Sequence, residues 1–327
     1  MTMHVLAGDV GGTNARLAIA DVERGAARIV HERDYPSADY DGLGTIVRAF
    51  LDEAGARPAQ GCVAIAGPVV GDVAQATNLP WTVDRAQVAG AIGIERFGLI
   101  NDFFAVGVGL EFLASEDLVT LQAGEPREHG AVAYLGAGTG LGVGFRLWGG
   151  TAYRVYASEG GHTDFAPRNP RQDGLLRFLR GKYGRASNER VLSGAGLADL
   201  YRYLESERVA PKQAAVERQM AREDPAAVVT AHALAGDDAL CAQALDLFVE
   251  VLGGVTGNLA LIAVATGGLY IAGGIAPRIV RQLQGQTFRD ALHDQGRLSP
   301  LVAKAPVYVV MNTKVGLLGA AGFAARL

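Results

Sequence analysis

The sequence predicts an α/β fold, and three observations carry the prediction. Short apolar segments rich in β-formers alternate with stretches at helical spacing. Two glycine–threonine turns, each set between apolar strands, open the two halves of the chain. The 44 glycines are spread through apolar segments rather than gathered in a linker, as tight turns and close backbone approaches to a ligand require. A length of 327 residues allows one large domain or two ordinary ones. The repeated turn favours two similar domains facing a cleft.

The elements follow in order. Residues 3 to 8 and 16 to 20 read as strands, and the few residues joining them can only turn, so they form a hairpin. Gly44 to Ala54 has a helical pattern, as does Arg85 to Ala91. Cys62-Val63-Ala64-Ile65-Ala66 is a short buried strand closed by Gly67-Pro68, in a segment expected to line the cleft. Phe97-Gly98-Leu99-Ile100 is another strand, and it delivers Asn101 and Asp102 at its C-terminal end. A second cycle starts with the strand Ala131 to Leu135, runs through "GAGTGLGVG" (Gly136 to Gly144) and continues in Phe145-Arg146-Leu147. Residues 170 to 240 are more polar and helical, with Leu175, Leu176 and Leu179 at helix spacing.

The stretch from Glu250 to Arg278 carries no charge between those two residues, which raises a membrane-spanning reading. Glycines at 253, 254, 257, 267, 268, 273 and 274 divide it, and Asn258 and Thr266 interrupt it. Three pieces account for it better. Leu240, Leu247, Val251, Leu252, Val255 and Leu259 lie on one helix, Thr266-Gly267-Gly268 stops that helix, and Leu269-Tyr270-Ile271-Ala272 is a buried strand. Val315 to Leu327 reads as a closing helix.

Composition excludes several classes of function. Apolar residues make up 49% and charged residues 20%, the balance of a folded soluble protein. A net charge of −4 gives no support to nucleic-acid binding. Cys62 and Cys241 are far apart and form no CxxC pair, so neither a disulfide framework nor a zinc site is expected, and a reducing cytoplasm fits. No basic, then apolar, leader is visible at the N-terminus.

Backbone N–H groups can hold a phosphate where no side chain blocks the approach. Gly8, Asp9, Val10, Gly11, Gly12 and Thr13 form one candidate cradle, and Gly138, Thr139 and Gly140 a second. Neither is a Walker A loop, because no Gly-Lys-Ser/Thr follows, and neither opens a helix in the manner of a dinucleotide fold. With no lysine to neutralise the phosphates, backbone dipoles and a metal ion must do so. Asp9 would repel phosphate directly, so it is expected to hold Mg²⁺ through water. Gly273-Gly274, after the strand 269–272, is either a third close approach of ligand to backbone or ordinary turn chemistry.

Together "GDVGGTNARLAIAD", "INDF", "GAGTGLGV", "SEGGHTDFAP", "ERVLSGAGL", "GGVTGNLAL" and "YIAGGIAPR" resemble the bacterial glucokinases of the hexokinase type, in order and over nearly the whole chain. The resemblance implies the two-domain actin-like ATPase (ribonuclease H-like) fold, with a ligand cleft between domains. It implies a small domain of 1–112 plus 313–327, a large domain of 113–312, and a homodimer in the cytoplasm. The activity implied is ATP-dependent phosphorylation of D-glucose at its 6-hydroxyl, the first step of glycolysis.

Taken alone, Asn101-Asp102 reads as a helix cap or a turn. The resemblance makes Asp102 the base that accepts the hydroxyl proton. It gives Asn101, Glu159, His162 and Glu189 the sugar hydroxyls, and ATP the turns at 8–13 and 138–140 with adenosine near Gly273-Gly274. Asp164 is read as structural support. Glu159 and His162 could be half of a metal site, but no third ligand lies nearby in the sequence. Members of the related repressor and sugar-kinase group carry a zinc-binding cysteine cluster and a helix-turn-helix extension, and neither is visible here. Alternatives are a kinase for another hexose or another phosphoryl donor, and a catalytically silent sugar-binding regulator.

Overall fold

The computed structural model describes residues 2–76 and 79–327. Residues 1, 77 and 78 of the expected small domain lie outside the described residues. The chain divides into two compact units. One is Met1–Asp117 with Val155–Ala157 and Asn312–Leu327, and the other is Leu118–Arg154 with Ser158–Met311.

The first unit is built on a five-stranded sheet. Its order is Ala26–Pro36, Asn14–Glu23, Met3–Val10, Gln60–Ile65, Arg96–Asn101. Met3–Val10 pairs antiparallel with Asn14–Glu23 and parallel with Gln60–Ile65, which pairs parallel with Arg96–Asn101. Alternation along the strands gives the sheet two buried faces. Leu6, Leu17, Val63 and Phe97 pack on one side with Ile46, Val47 and Phe50 of the helix Leu43–Ala54. Val5, Ala7, Ala18, Cys62 and Ala64 pack on the other with Ala105, Leu317, Ala320 and Ala321. On that side the helices Asp102–Gly109 and Val315–Ala324 meet backbone to backbone. A Cβ on Gly109 would collide with the Val315 carbonyl, and one on Gly319 with that of Ala105. Glycine at both positions is what lets the two helices approach so closely.

A six-stranded sheet has the order Tyr153–Ser158, Leu141–Trp148, Val132–Ala137, Gly268–Ala272, Val307–Val310, Leu118–Gln122, and all of it but Val155–Ala157 belongs to the second unit. Val132–Ala137 pairs antiparallel with Leu141–Trp148 and parallel with Gly268–Ala272. The first five positions therefore repeat the strand order of the first unit: a hairpin whose first strand lies beside a parallel one. The glycine–threonine repeat in the sequence marks this shared architecture.

Among the described residues, one helix, Ala239–Ala263, is long and apolar enough to cross a membrane, yet 72% of its apolar window is buried in the protein. Leu247, Phe248, Val251 and Leu252 lie in the core of the second unit. The helix ends earlier than Thr266-Gly267-Gly268 suggests. Val264 takes the left-handed conformation at φ 46, and the Ala265 N–H returns to the Ala260 carbonyl. Backbone bonds across the last turn thus close the helix before the glycines arrive. The strands Ala26–Pro36, Leu118–Gln122, Tyr153–Ser158 and Val307–Val310 and the small sheet Val69–Val70, Val73–Gln75 and Thr82–Asp84 stand beyond the strands that alternation in the sequence marks.

Candidate functional site

In the first unit, the candidate residues gather at the C-terminal ends of three parallel strands. Asp9 is the penultimate residue of Met3–Val10, directly opposite Arg16 across the hairpin and beside Ala64. Burial, then the nearby Asp102 carboxylate, push its carboxyl up to about 6, against a smaller pull downward from Arg16. Arg16 is itself tied to Asp34 on the third strand by a 2.9 Å bond from Nε. A Cβ on Gly316, in the first turn of the closing helix, would stand 3.2 Å from Asp9 Oδ2, so bare backbone there leaves room for the carboxylate.

Gly11, Gly12 and Thr13 form the hairpin tip, closed by the Gly11 N–H on the Asn14 carbonyl at 2.9 Å. Fully buried Ser37 braces the tip from outside, with its Oγ donating to the Gly11 carbonyl and its N–H to that of Thr13. A Cβ on Gly11 would meet only the Asn14 carbonyl, at 3.7 Å. Gly8 differs: a Cβ there would press on Leu17 and Val63 at 2.8 Å, so core packing requires its glycine. Val10 is likewise a core residue.

Asn101 ends the strand Arg96–Asn101 and caps the helix Asp102–Gly109. Its Oδ1 accepts the N–H groups of Phe103 and Phe104, and its Nδ2 donates to the Gly67 carbonyl and to Asp102 Oδ1. Asp102 Oδ1 also accepts the Phe103 N–H at 2.8 Å. The structure bears out the cap at Asn101, and the same bonds fix where the Asp102 carboxylate stands. Gly67 has φ 142, a conformation that glycine takes readily, and its carbonyl completes the Asn101 network.

The second unit brings together the rest. Gly138, Thr139 and Gly140 form the tip of the second hairpin, where the Gly138 N–H reaches the Gly140 carbonyl at 2.9 Å. The Gly194 N–H, at the start of the helix Gly194–Ser206, donates to the Gly138 carbonyl at 2.9 Å. Gly273, at φ 85, lies against Ala137 so closely that a Cβ would collide with the Ala137 carbonyl, and Ile275 N–H bonds that carbonyl. Gly138 and Gly274 face open space, with nothing within 4 Å of an added Cβ. The tip and the 273–274 turn thus stand side by side with an unobstructed approach to backbone, as a phosphate-bearing ligand needs.

Against this tip lie Glu159, His162 and Glu189. His162 stands between the two carboxylates, its Nε2 3.9 Å from Glu159 Oε2 and its Nδ1 3.8 Å from Glu189 Oε1. Gly161 touches the Leu141 carbonyl through bare backbone, which presses the turn Gly160–His162 onto the strand leaving the tip. Glu189 Oε2 accepts the Leu141 N–H at 3.0 Å. Asp164 accepts a bond from Arg185 Nε at 2.7 Å and sits in a bridge with Ser187. Among the described residues, no group of three or more His, Cys, Asp or Glu side chains could hold a metal ion.

Four contributors lie outside the residues singled out in the sequence. Arg16 opposite Asp9 could be found by counting equal steps back from the two ends of the hairpin loop. Ser37, Gly194 and Gly316 act through chain segments remote from the residues they serve, and no local pattern marks them.

Comparison with known proteins gives a consistent family. The family model described as Glucokinase matches residues 6–327. A curated glucokinase of Nostoc sp. is 42% identical over 339 residues, covering 99% of each chain. Among solved structures, glucokinase from an Antarctic psychrotroph superposes with a TM-score of 0.85 at 30% identity, covering 99% of each chain. A ROK family glucokinase from Streptomyces griseus, solved with glucose and AMPPNP, reaches a TM-score of 0.67 at 21% identity, covering 99% of this chain and 100% of that one, and shows a shared fold.

Proposed function

The chain belongs to the glucokinase family, whose members are phosphotransferases acting on an alcohol group, and from that premise we propose that it transfers the γ-phosphoryl group of ATP to the 6-hydroxyl of glucose. The family match over residues 6–327 carries this reading. The two open glycine tips, each paired with a carboxylate, support it from the chemistry. The proposed domains are 1–112 with 313–327, and 113–312.

In this proposal Asp102 accepts the proton of the attacking hydroxyl, from a position fixed by Asn101 and the Phe103 N–H. Glu159, His162 and Glu189 hold sugar hydroxyls, carboxylates accepting and imidazole accepting or donating, with Asn101 beside Asp102. The tips at 8–13 and 138–140 hold the ATP phosphates by backbone dipoles, and Gly273-Gly274 passes close to the nucleoside. Mg²⁺ on the phosphates supplies charge neutralisation. Asp9 fits such an ion, because a carboxyl pushed up by burial and by Asp102 gains most from a nearby cation. Cytoplasmic location and a homodimer belong to the same proposal, and the mass in solution checks the latter.

The deciding experiment is a coupled assay for glucose 6-phosphate with ATP and Mg²⁺, on wild type and Asp102→Ala. Turnover by the wild type and a fall of about 10²-fold or more in the variant are expected, the scale of a lost general base. Wild type that binds glucose but phosphorylates it with no donor would sink the kinase reading.

A further inference from the structure

Glu189 is one carboxylate doing two jobs in opposite directions. One oxygen, Oε1, faces His162 Nδ1 at 3.8 Å among the residues proposed to hold sugar. The other, Oε2, accepts the Leu141 N–H at 3.0 Å, and lies 2.6 Å from where a Cβ on Gly140 would stand. Leu141 is the first residue after the tip 138–140, so the carboxylate sits directly on the backbone proposed to hold phosphate. The contact is a hydrogen bond of ordinary length from backbone N–H to a carboxylate oxygen. The side chain is neither fully buried nor free in solvent, with 27% of it exposed, so one edge remains accessible to a ligand while the other is committed.

The chain around it is arranged to keep this bond. Glu189 lies in the turn Asn188–Arg190, whose Asn188 N–H is bonded to the Thr163 carbonyl and whose Asn188 Nδ2 reaches Thr163 Oγ1. Thr163 directly follows His162. Five residues beyond Glu189, the Gly194 N–H holds the Gly138 carbonyl at the other end of the tip. The segment 188–194 therefore grips the tip at both ends, by a side chain at 141 and by backbone at 138, and is itself bonded to the His162 turn. Glycine at 140 is the condition that lets the carboxylate come so near.

We propose that Glu189 is a positioning residue for the nucleotide as well as a ligand of the sugar: through the Leu141 N–H it fixes the 138–140 tip, and sugar held at Oε1 steadies that tip for the phosphates. This rests on the kinase reading above. It predicts that Glu189 matters for nucleotide binding with no sugar present. By linkage, whatever sugar does for nucleotide affinity through this residue, nucleotide does equally for sugar.

Three substitutions separate the two jobs. Glu189→Gln keeps the length and an oxygen acceptor for the Leu141 N–H but changes the group facing the sugar. Glu189→Asp keeps the charge but withdraws it by one methylene from Leu141. Glu189→Ala removes both. AMPPNP binding, measured by titration calorimetry without sugar, is expected to stay within about twofold of wild type in Gln. It should weaken by about three- to tenfold in Asp and in Ala, the scale of one hydrogen bond. Glucose binding is expected to weaken in all three, so the KM for glucose rises in Gln while the KM for ATP does not. If Asp and Ala bind AMPPNP like wild type, or Gln loses as much affinity as Ala, the proposal is overturned. Should Ala fail to fold, the Gln and Asp pair decides alone. Wild type that neither binds AMPPNP nor phosphorylates glucose would overturn the kinase reading itself, whereas an active wild type with the wrong order among variants overturns only the role of Glu189.

Discussion

The two glycine tips occupy equivalent places, each at the end of a hairpin whose first strand has a parallel neighbour, but they are held in different ways. At the first tip the carboxylate is local: Asp9 stands on the strand that leads into the turn, and its charge is opposed by burial and by Asp102. At the second tip the carboxylate is imported: Glu189 arrives from a distant turn and is bonded to the backbone at Leu141. The bracing differs too. Ser37 donates to both Gly11 and Thr13, whereas Gly194 and Glu189 divide the second tip between them. One tip has a carboxylate that burial and a neighbouring like charge make uncomfortable, and the other has a satisfied one that already serves the fold. The same motif is thus built in two ways, according to where its acid comes from.

The contrast can be broken at several points. The largest stability effect is expected at Gly273→Ala, where a left-handed backbone and the Ala137 carbonyl both oppose a side chain. A loss of about 3 kcal/mol in denaturant unfolding is expected from strain and overpacking together. Little change would mean that the 273–274 turn does not support the second tip.

Asp9→Asn tests the first tip. Turnover should fall by about 10²-fold or more, the scale of lost transition-state electrostatics. Stability should move in the opposite sense. The Asp9 carboxyl holds its proton up to about 6 in the native state, against 3.8 for an ordinary aspartate. Between these values the native state binds more protons than the unfolded one, so this residue's contribution to stability falls as pH rises. Melting measured from pH 4 to pH 7 should show Asn gaining on wild type through that window and holding the gain above it. A parallel shift at every pH would remove Asp9 as the titrating group.

Gly8→Ala is expected to cost about 1–3 kcal/mol, because its Cβ would press on Leu17 and Val63 inside the core. Smallest of all should be the stability effect of Gly138→Ala, within about 0.5 kcal/mol, since nothing lies near the added methyl. Its AMPPNP affinity should nonetheless drop. A Gly138→Ala protein that binds nucleotide normally would mean that the open space beside this glycine is not used by ligand.

Both hairpins were legible in the sequence because turn chemistry and alternation are local signals: Gly11-Gly12-Thr13 and Gly138-Thr139-Gly140 lie where the strands reverse. The helix Ala239–Ala263 was legible from its spacing, although backbone bonds at Val264 and Ala265 end it before the glycines do. Strands such as Ala26–Pro36 were not, since its exposed and half-buried residues give it little apolar alternation. At the site, Asp9 announces itself by its flanking glycines, whereas Asp102 at its strand end reads alone as a cap or turn and takes its role from the resemblance. Glu189 does not announce itself, because its place is set by hydrogen bonds to Leu141 and by the neighbouring bonds to Thr163, which join segments far apart in the chain. The family resemblance alone brings Glu189 into view, and only the fold discloses what its second oxygen does.

The bare-backbone contact between Asp102–Gly109 and Val315–Ala324 also has a meaning in time. A ribosome adds residues in order, at about 5–20 per second. The helix that begins with Asp102 emerges early, but its glycine-faced partner is made only after the second unit's share of the chain. Until then the face of the helix at Ala105 and Gly109 has nothing to close it. A chain terminated before residue 315 would therefore carry every residue of both tips and still leave the Ala105 and Gly109 face of that helix uncovered.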